Sequence, residues 1–195
     1  MKFTPRLRAI IPEHIRQLKP YKAGRTIDEV KEEFGLESVV KLASNENPLG
    51  PPESAVKAAI EVLAEGHRYP DPAARALRKE LASRYDLNMD NIIVGAGSEG
   101  ILSSIVRVFL EKGDEVLTAD AAFLGFPILC RTRGVEPTMI PLNSEYRFDL
   151  GRIADAITDN TKLIYLCNPN NPTGTIFTKE EFDIFMERVP EHTLV

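Results

Sequence analysis

Apolar residues recur along the chain in two periods. From residue 91 onward, short unbroken apolar runs, which suit strands buried on both faces, alternate with stretches whose apolar residues fall every three or four positions, the spacing of a helix buried on one side. The pattern predicts strands over 91–94, 115–119, 135–142 and 162–167, and helices over 99–110, 123–133, 150–158 and 179–189. Leu102, Ile105, Val106 and Phe109 form the inward stripe of the first of these helices. Pro137 puts the third strand near a sheet edge or shifts its start. Thr178 with Glu181 three residues later is a capping box for the last helix. Strand and helix in alternation argue for an α/β fold, a mostly parallel sheet covered by helices.

Before residue 91 the pattern is helical only. Ile27, Val30 and Phe34 mark a short amphipathic helix over 26–34. Val56, Ala59, Ile60 and Leu63 mark a second, begun by Pro51 and Pro52 and ended by Gly66. Leu77, Leu81 and Tyr85 mark a third. Residues 1–40 are polar and broken by Pro5, Pro12 and Pro20, which reads as an arm with an extended stretch and a turn over 19–25. Its apolar stripe argues for docking, onto a partner subunit for instance.

Composition narrows the classes. The 195 residues are 43% hydrophobic and 27% charged, enough for one sizeable core. A net charge of −5 with no basic run excludes a nucleic-acid footprint. No stretch approaches the ~20 apolar residues of a membrane span, and the first residues lack a signal-peptide core. Cys130 and Cys167 have no metal-ligand spacing, and His14, His67 and His192 lie far apart, so no metal site is expected. A soluble, reducing compartment, the cytoplasm, is the expected setting. Residues 191–195 look like the opening of another strand, so a truncated chain is expected.

The most informative stretch is Cys167-Asn168-Pro169-Asn170-Asn171-Pro172-Thr173-Gly174. It puts three asparagines in a stiff turn at the carboxyl end of a parallel-type strand, where open α/β sheets place ligands. Pro172 fixes the backbone, so the Asn171 amide can be aimed. A neutral donor suits a phenolate-type oxygen whose charge must be held without being protonated. The same residues also make an ordinary Asx–proline turn. Gly95-Ala96-Gly97-Ser98-Glu99-Gly100 opens a helix straight after an expected strand, a place where backbone N–H groups receive a phosphate. Glycine there can equally serve packing alone.

The Asn-Pro-x-Asn-Pro-Thr-Gly string resembles the signature turn of fold-type-I pyridoxal-phosphate enzymes, the class I/II aminotransferases. The resemblance implies the three-layer, mostly parallel sheet of that family's major domain, here incomplete. It implies an N-terminal arm and substrate loop over 1–50 and a partial cofactor domain over 51–195. In that family the residues matching Asn171, Ser98 and Glu99 meet the cofactor's ring oxygen and phosphate, and an aromatic residue at Phe123 stacks on the ring. Gly100 stands where a second acidic residue is frequent, and Ala121-Ala122 where Pro-Thr is frequent; Phe126 competes with Phe123, and both also read as core. Tyr69 resembles the tyrosine that reaches the cofactor phosphate of the other subunit, which implies a homodimer.

Lys19-Pro20-Tyr21, with Lys41-Leu42-Ala43-Ser44-Asn45-Glu46-Asn47-Pro48, resembles the histidinol-phosphate branch of the family, in which Tyr21, Asn45 and Asn47 would lie near the substrate. That branch implies L-histidinol phosphate as amino donor and 2-oxoglutarate as acceptor, within histidine biosynthesis. It also contains aromatic aminotransferases and a threonine-phosphate decarboxylase, which stay open, as does a non-catalytic remnant. The family's Schiff-base lysine and the aspartate that pairs with the pyridine nitrogen are expected beyond Val195. Lys162 and Lys179 do not match, so no catalytic residue is assigned within these 195 positions.

Overall fold

The computed structural model describes residues 4–19, 24–42 and 44–195. Among these the chain runs α1 (Pro5–Ile10), α2 (Glu13–Arg16), α3 (Ile27–Phe34), α4 (Glu53–Val62), α5 (Arg75–Tyr85), α6 (Gly97–Phe109), β1 (Glu115–Ala119), α7 (Gly125–Thr132), β2 (Thr138–Ile140), α8 (Leu150–Asp155), β3 (Thr161–Ile164) and α9 (Lys179–Met186). Two compact units divide it: Met1–Tyr21 with Gly95–Val195, and Lys22–Val94.

The first unit is built on a parallel sheet of three strands in the order β2-β1-β3. Successive side chains of a strand point to opposite faces, and here each face meets its own helices. Leu117, Ala119 and Ile164 pack with Ile153, Ala154 and Phe185 of α8 and α9. Val116 and Leu163 pack with Val106, Leu110, Phe126 and Cys130 on the side of α6 and α7. The result is three layers, helix–sheet–helix, as the alternating pattern predicts. Leu194 extends the sheet beyond β3: its N–H donates to the Lys162 carbonyl at 3.0 Å, and its carbonyl accepts from Ile164 at 2.8 Å. The strand opening expected over 191–195 is therefore formed at this residue.

From β1 the chain crosses to β2 on one side, then passes back to β3 on the other. The loops leaving β1 and β3 thus diverge, which opens a crevice between the carboxyl ends of these two strands, a topological switch point. Helix α6 ends at Leu110, which is buried, and joins β1 through a short turn. It therefore runs against the strand direction, with its N-terminus on the same side as the strands' carboxyl ends.

In the second unit α3 begins with a capping box, Thr26 and Glu29, and ends on Gly35 in the left-handed conformation. Ala82, on α5, is the one buried apolar residue of this unit among the described residues.

Three expectations are corrected. The strand over 91–94 is not formed. Met89–Asn91 is a 3-10 turn, and although Ile92 is extended (φ −120°, ψ 124°), no strand of the described sheet bonds this segment, which leaves Ile93 79% exposed. An extended backbone becomes a strand only with a ladder partner. The strand over 135–142 shortens to β2, which starts just after Pro137 because proline has no N–H to give. Where an irregular arm is expected, the chain forms α1 and α2; Pro5 lies in the first turn of α1 and Pro12 caps α2, so these prolines start helices instead of breaking them. Of the extended stretch over 19–25, residues 20–23 lie outside the described residues.

Candidate active site

The turn over 167–174 lies directly after β3, at the edge of the crevice. Asn168–Pro169 and Asn171–Pro172 are cis peptides. Asn168 clamps the base of the turn, donating to the Phe177 carbonyl at 3.1 Å and accepting from the Phe177 N–H at 3.1 Å. Asn170 is buried; its Nδ2 donates to the Ala121 carbonyl at 3.0 Å and to Thr173 Oγ1 at 2.8 Å. Ala121 belongs to the loop that follows β1, so one side chain ties the two diverging loops together. Asn171 is exposed and its amide has no partner among the described residues. Of the three asparagines, then, two are consumed by the turn and one is free.

Phe123 follows Ala121 by two residues and is half-buried. Its ring lies over Gly125: a Cβ on that glycine would stand 2.5 Å from the ring's edge. Glycine at 125 is what lets the ring settle. Phe126, the competing aromatic, is fully buried and stacks on Tyr165 with centroids 4.2 Å apart, so it belongs to the core. Burial, with the Cys167 thiol beside it, pushes the Tyr165 phenol above its ordinary value.

The N-terminus of α6 faces the same side. Gly97 begins it at φ +68°, a conformation that any other residue would strain to hold. No side chain caps this end, and Ser98 and Glu99 are exposed. First-turn amides of a helix have no partner within it, so those of Ser98 and Glu99 are open to an anion.

The remaining expected residues lie in the second unit or outside the description. Tyr69 is fully exposed. Asn45 is exposed, whereas Asn47 spends its side chain on a local turn, accepting from the Leu49 N–H at 3.0 Å and donating to the Gly50 carbonyl at 3.4 Å. Tyr21 lies outside the described residues. Lys162 stands 3.6 Å from Asp114, at the amino end of its strand, and Lys179 pairs with Asp183 on α9; neither reaches the crevice loops. Sequence reasoning missed the buried role of Asn170, because its partner Ala121 is 49 positions away.

A second concavity of about 330 Å3 lies between α8 and α9, lined among others by Phe148, Phe177 and Phe185. Its charges are matched: Arg147 holds Glu181 at 2.6 Å and Arg188 holds Asp155 at 2.7 Å. No group of three or more His, Cys, Asp or Glu side chains among the described residues could hold a metal ion, and no helix there is long and apolar enough to cross a membrane.

Comparison with known proteins gives a consistent answer. The histidinol-phosphate aminotransferase of Bacillus velezensis is 43% identical over 185 residues, and that of Anaeromyxobacter sp. is 39% identical over 186; each alignment covers 95% of this chain and 51% of the relative. The chain thus spans about half the length of these curated relatives. Among solved structures, histidinol-phosphate aminotransferase from Sinorhizobium meliloti in complex with pyridoxal-5'-phosphate matches with a TM-score of 0.85 at 26% identity, over 95% of this chain and 50% of that one. Aspartate aminotransferase from Thermus thermophilus with maleate shares the fold at a TM-score of 0.77 and 24% identity, over 94% and 51% of the two chains. The family model of aminotransferase class I and II matches residues 37–195. With its α/β sheet, its signature turn and these relatives, the chain belongs to the class I and II aminotransferases.

Proposed function

We propose that this chain serves a pyridoxal-phosphate-dependent aminotransferase that moves the amino group of L-histidinol phosphate to 2-oxoglutarate in histidine biosynthesis. One observation carries the cofactor part. On the side of the strands' carboxyl ends stand an unengaged, neutral Asn171 amide, a half-buried Phe123 ring and an uncapped helix N-terminus. These match a ring oxygen, a ring face and a phosphate respectively. The substrate rests on the names of the relatives at 39% and 43% identity.

In this reading the Ser98 and Glu99 amides receive the phosphate dianion, aided by the helix dipole. Asn171 donates to the phenolic oxygen and, being neutral, holds its charge without giving up a proton. Phe123 stacks on the ring, a contact worth about 0.5–1.5 kcal/mol beyond area burial. When bound, pyridoxal phosphate supplies the electron sink and carries the amino group between donor and acceptor. Tyr69 donates its phenol to the cofactor phosphate of a second subunit in a homodimer, and Tyr21, Asn45 and Asn47 line the substrate side. The setting is the cytoplasm. No lysine of this chain takes the family's catalytic position, so the 195 residues by themselves are expected to be inactive.

Equilibrium dialysis of pyridoxal phosphate against the protein and its Asn171→Ala variant tests the cofactor. A hydrogen bond to a charged group is worth about 1.5–3 kcal/mol, so affinity should fall about tenfold to a hundredfold. Equal binding by both proteins would sink the assignment. Glutamate formed by the whole protein from 2-oxoglutarate with L-histidinol phosphate or phenylalanine as donor, and CO2 released from threonine phosphate, test the substrate; preference for either of the last two compounds favours the other members of the branch. Mixed dimers of Tyr69→Phe subunits with subunits lacking the catalytic lysine test sharing, and no activity beyond that of the two parent variants removes its support.

A further inference from the structure

The loop after β1 and the turn after β3 are held at a fixed separation by one side chain. Asn170 is 4% exposed. Besides its two amide bonds, its N–H donates to the Thr175 carbonyl at 2.9 Å and its carbonyl accepts from Gly174 at 2.8 Å. The orientation of the amide follows from its partner: the Ala121 carbonyl can only accept, so the NH2 group must face it. The direction of the next bonds also follows. Thr175 Oγ1 gives its single proton to the Tyr146 carbonyl at 2.7 Å, so the 2.8 Å contact between the Thr173 and Thr175 hydroxyls runs from Thr173 to Thr175. Donors therefore run one way, from Asn170 through Thr173 and Thr175 to Tyr146. Asn170 Oδ1 is left buried with no partner. That unmet acceptor is destabilising, and the two donated bonds offset it.

We infer that Asn170 is a positioning residue. By holding Ala121 it sets the distance between Phe123, two residues further on, and Asn171, its own neighbour. The inference rests on the cofactor reading above, in which these two side chains meet the same ring. A cradle split across two loops binds well only if the loops keep their spacing, since misplacement by about 1 Å is costly.

Hydrogen exchange on the cofactor-free protein reads the bridge directly. Asn170→Ala should speed amide exchange about tenfold in both 121–125 and 171–176 while β1 and β2 stay protected. Acceleration confined to 171–176 would overturn the bridge. Pyridoxal phosphate affinity by equilibrium dialysis is the second readout. Asn170→Ala and Asn170→Asp should both weaken binding about tenfold, because neither can donate to the Ala121 carbonyl. Asn170→His, whose Nδ1 lies as many bonds from Cα as the asparagine nitrogen and can carry a proton, should recover most of the loss. A merely structural role would follow side-chain size, so Asn170→Asp binding as tightly as the parent protein overturns the inference. If Asn170→Ala does not fold, Asn170→Asp and Thr173→Val go through the same two measurements. Should the parent and Asn171→Ala bind the cofactor equally, the cofactor reading fails, while the exchange result still decides whether Asn170 joins the loops.

Discussion

The two units of this chain form secondary structure with similar ease and bury it very differently. Among the described residues, 22–94 hold three α-helices, one with a full capping box and a left-handed glycine stop, yet Leu42 is 93% and Leu49 91% exposed. Residues 95–195 hold shorter helices on average, and nearly all the buried apolar side chains of the described chain. Caps, dipoles and spacing are local and make helices wherever the sequence offers them. Burial is not local: a sheet gathers stripes from four helices onto two faces, whereas three helices without a sheet leave theirs outside.

Truncations to alanine should separate the units most sharply. Phe126→Ala, fully buried, should cost about 3–5 kcal/mol by urea unfolding, whereas Leu49→Ala should stay within about 0.5 kcal/mol. Comparable costs would break the comparison. Limited trypsin digestion should cut between Lys57 and Arg84 at least about tenfold faster than within α6 or α7, because local opening governs cleavage; mass spectrometry of the first fragments decides. Thiol labelling sharpens the picture inside the sheet unit. Burial pushes the Cys130 thiol up to about 12, so at pH 8 a thiol reagent should modify Cys167 and leave Cys130 intact until the protein unfolds.

The smallest effect concerns Glu181 at the start of α9. The Thr178 backbone N–H, and then Arg147, hold its carboxyl below the ordinary value. A folded-state value that is lowered adds stability above the unfolded value, and that stability is lost as pH falls through the folded one. Glu181→Gln keeps the capping geometry and removes the charge. Its melting temperature should lie below the parent's at pH 7, and the gap should close below about pH 4.

How much of this was legible in the sequence depends on the range over which each feature is decided. The strand over 115–119, the capping box at Thr178 and the helix stripe at Leu102 and Val106 are written in a few neighbouring residues, and the fold has them. The segment 92–94 reads as a strand by the same signal, but its status depends on a neighbour that periodicity does not contain. Pro5 and Pro12 read as breakers because their helices are too short to show a stripe. At the candidate site only the stiff turn follows from the string itself. The role of Asn170 does not, since nothing in the string distinguishes the asparagine that grips Ala121 from the one that faces solvent.

The clamp that joins the two loops consists of an amide, two hydroxyls and backbone carbonyls. None of these groups gains or loses a proton between strongly acid and strongly alkaline solution. Phosphates, phenols and amines of the kind proposed to meet here all titrate within that span. The clamp is therefore electrically silent: it carries no group whose protonation could alter the spacing it sets, whichever protonation state arrives, so any pH dependence of binding has to enter through other groups.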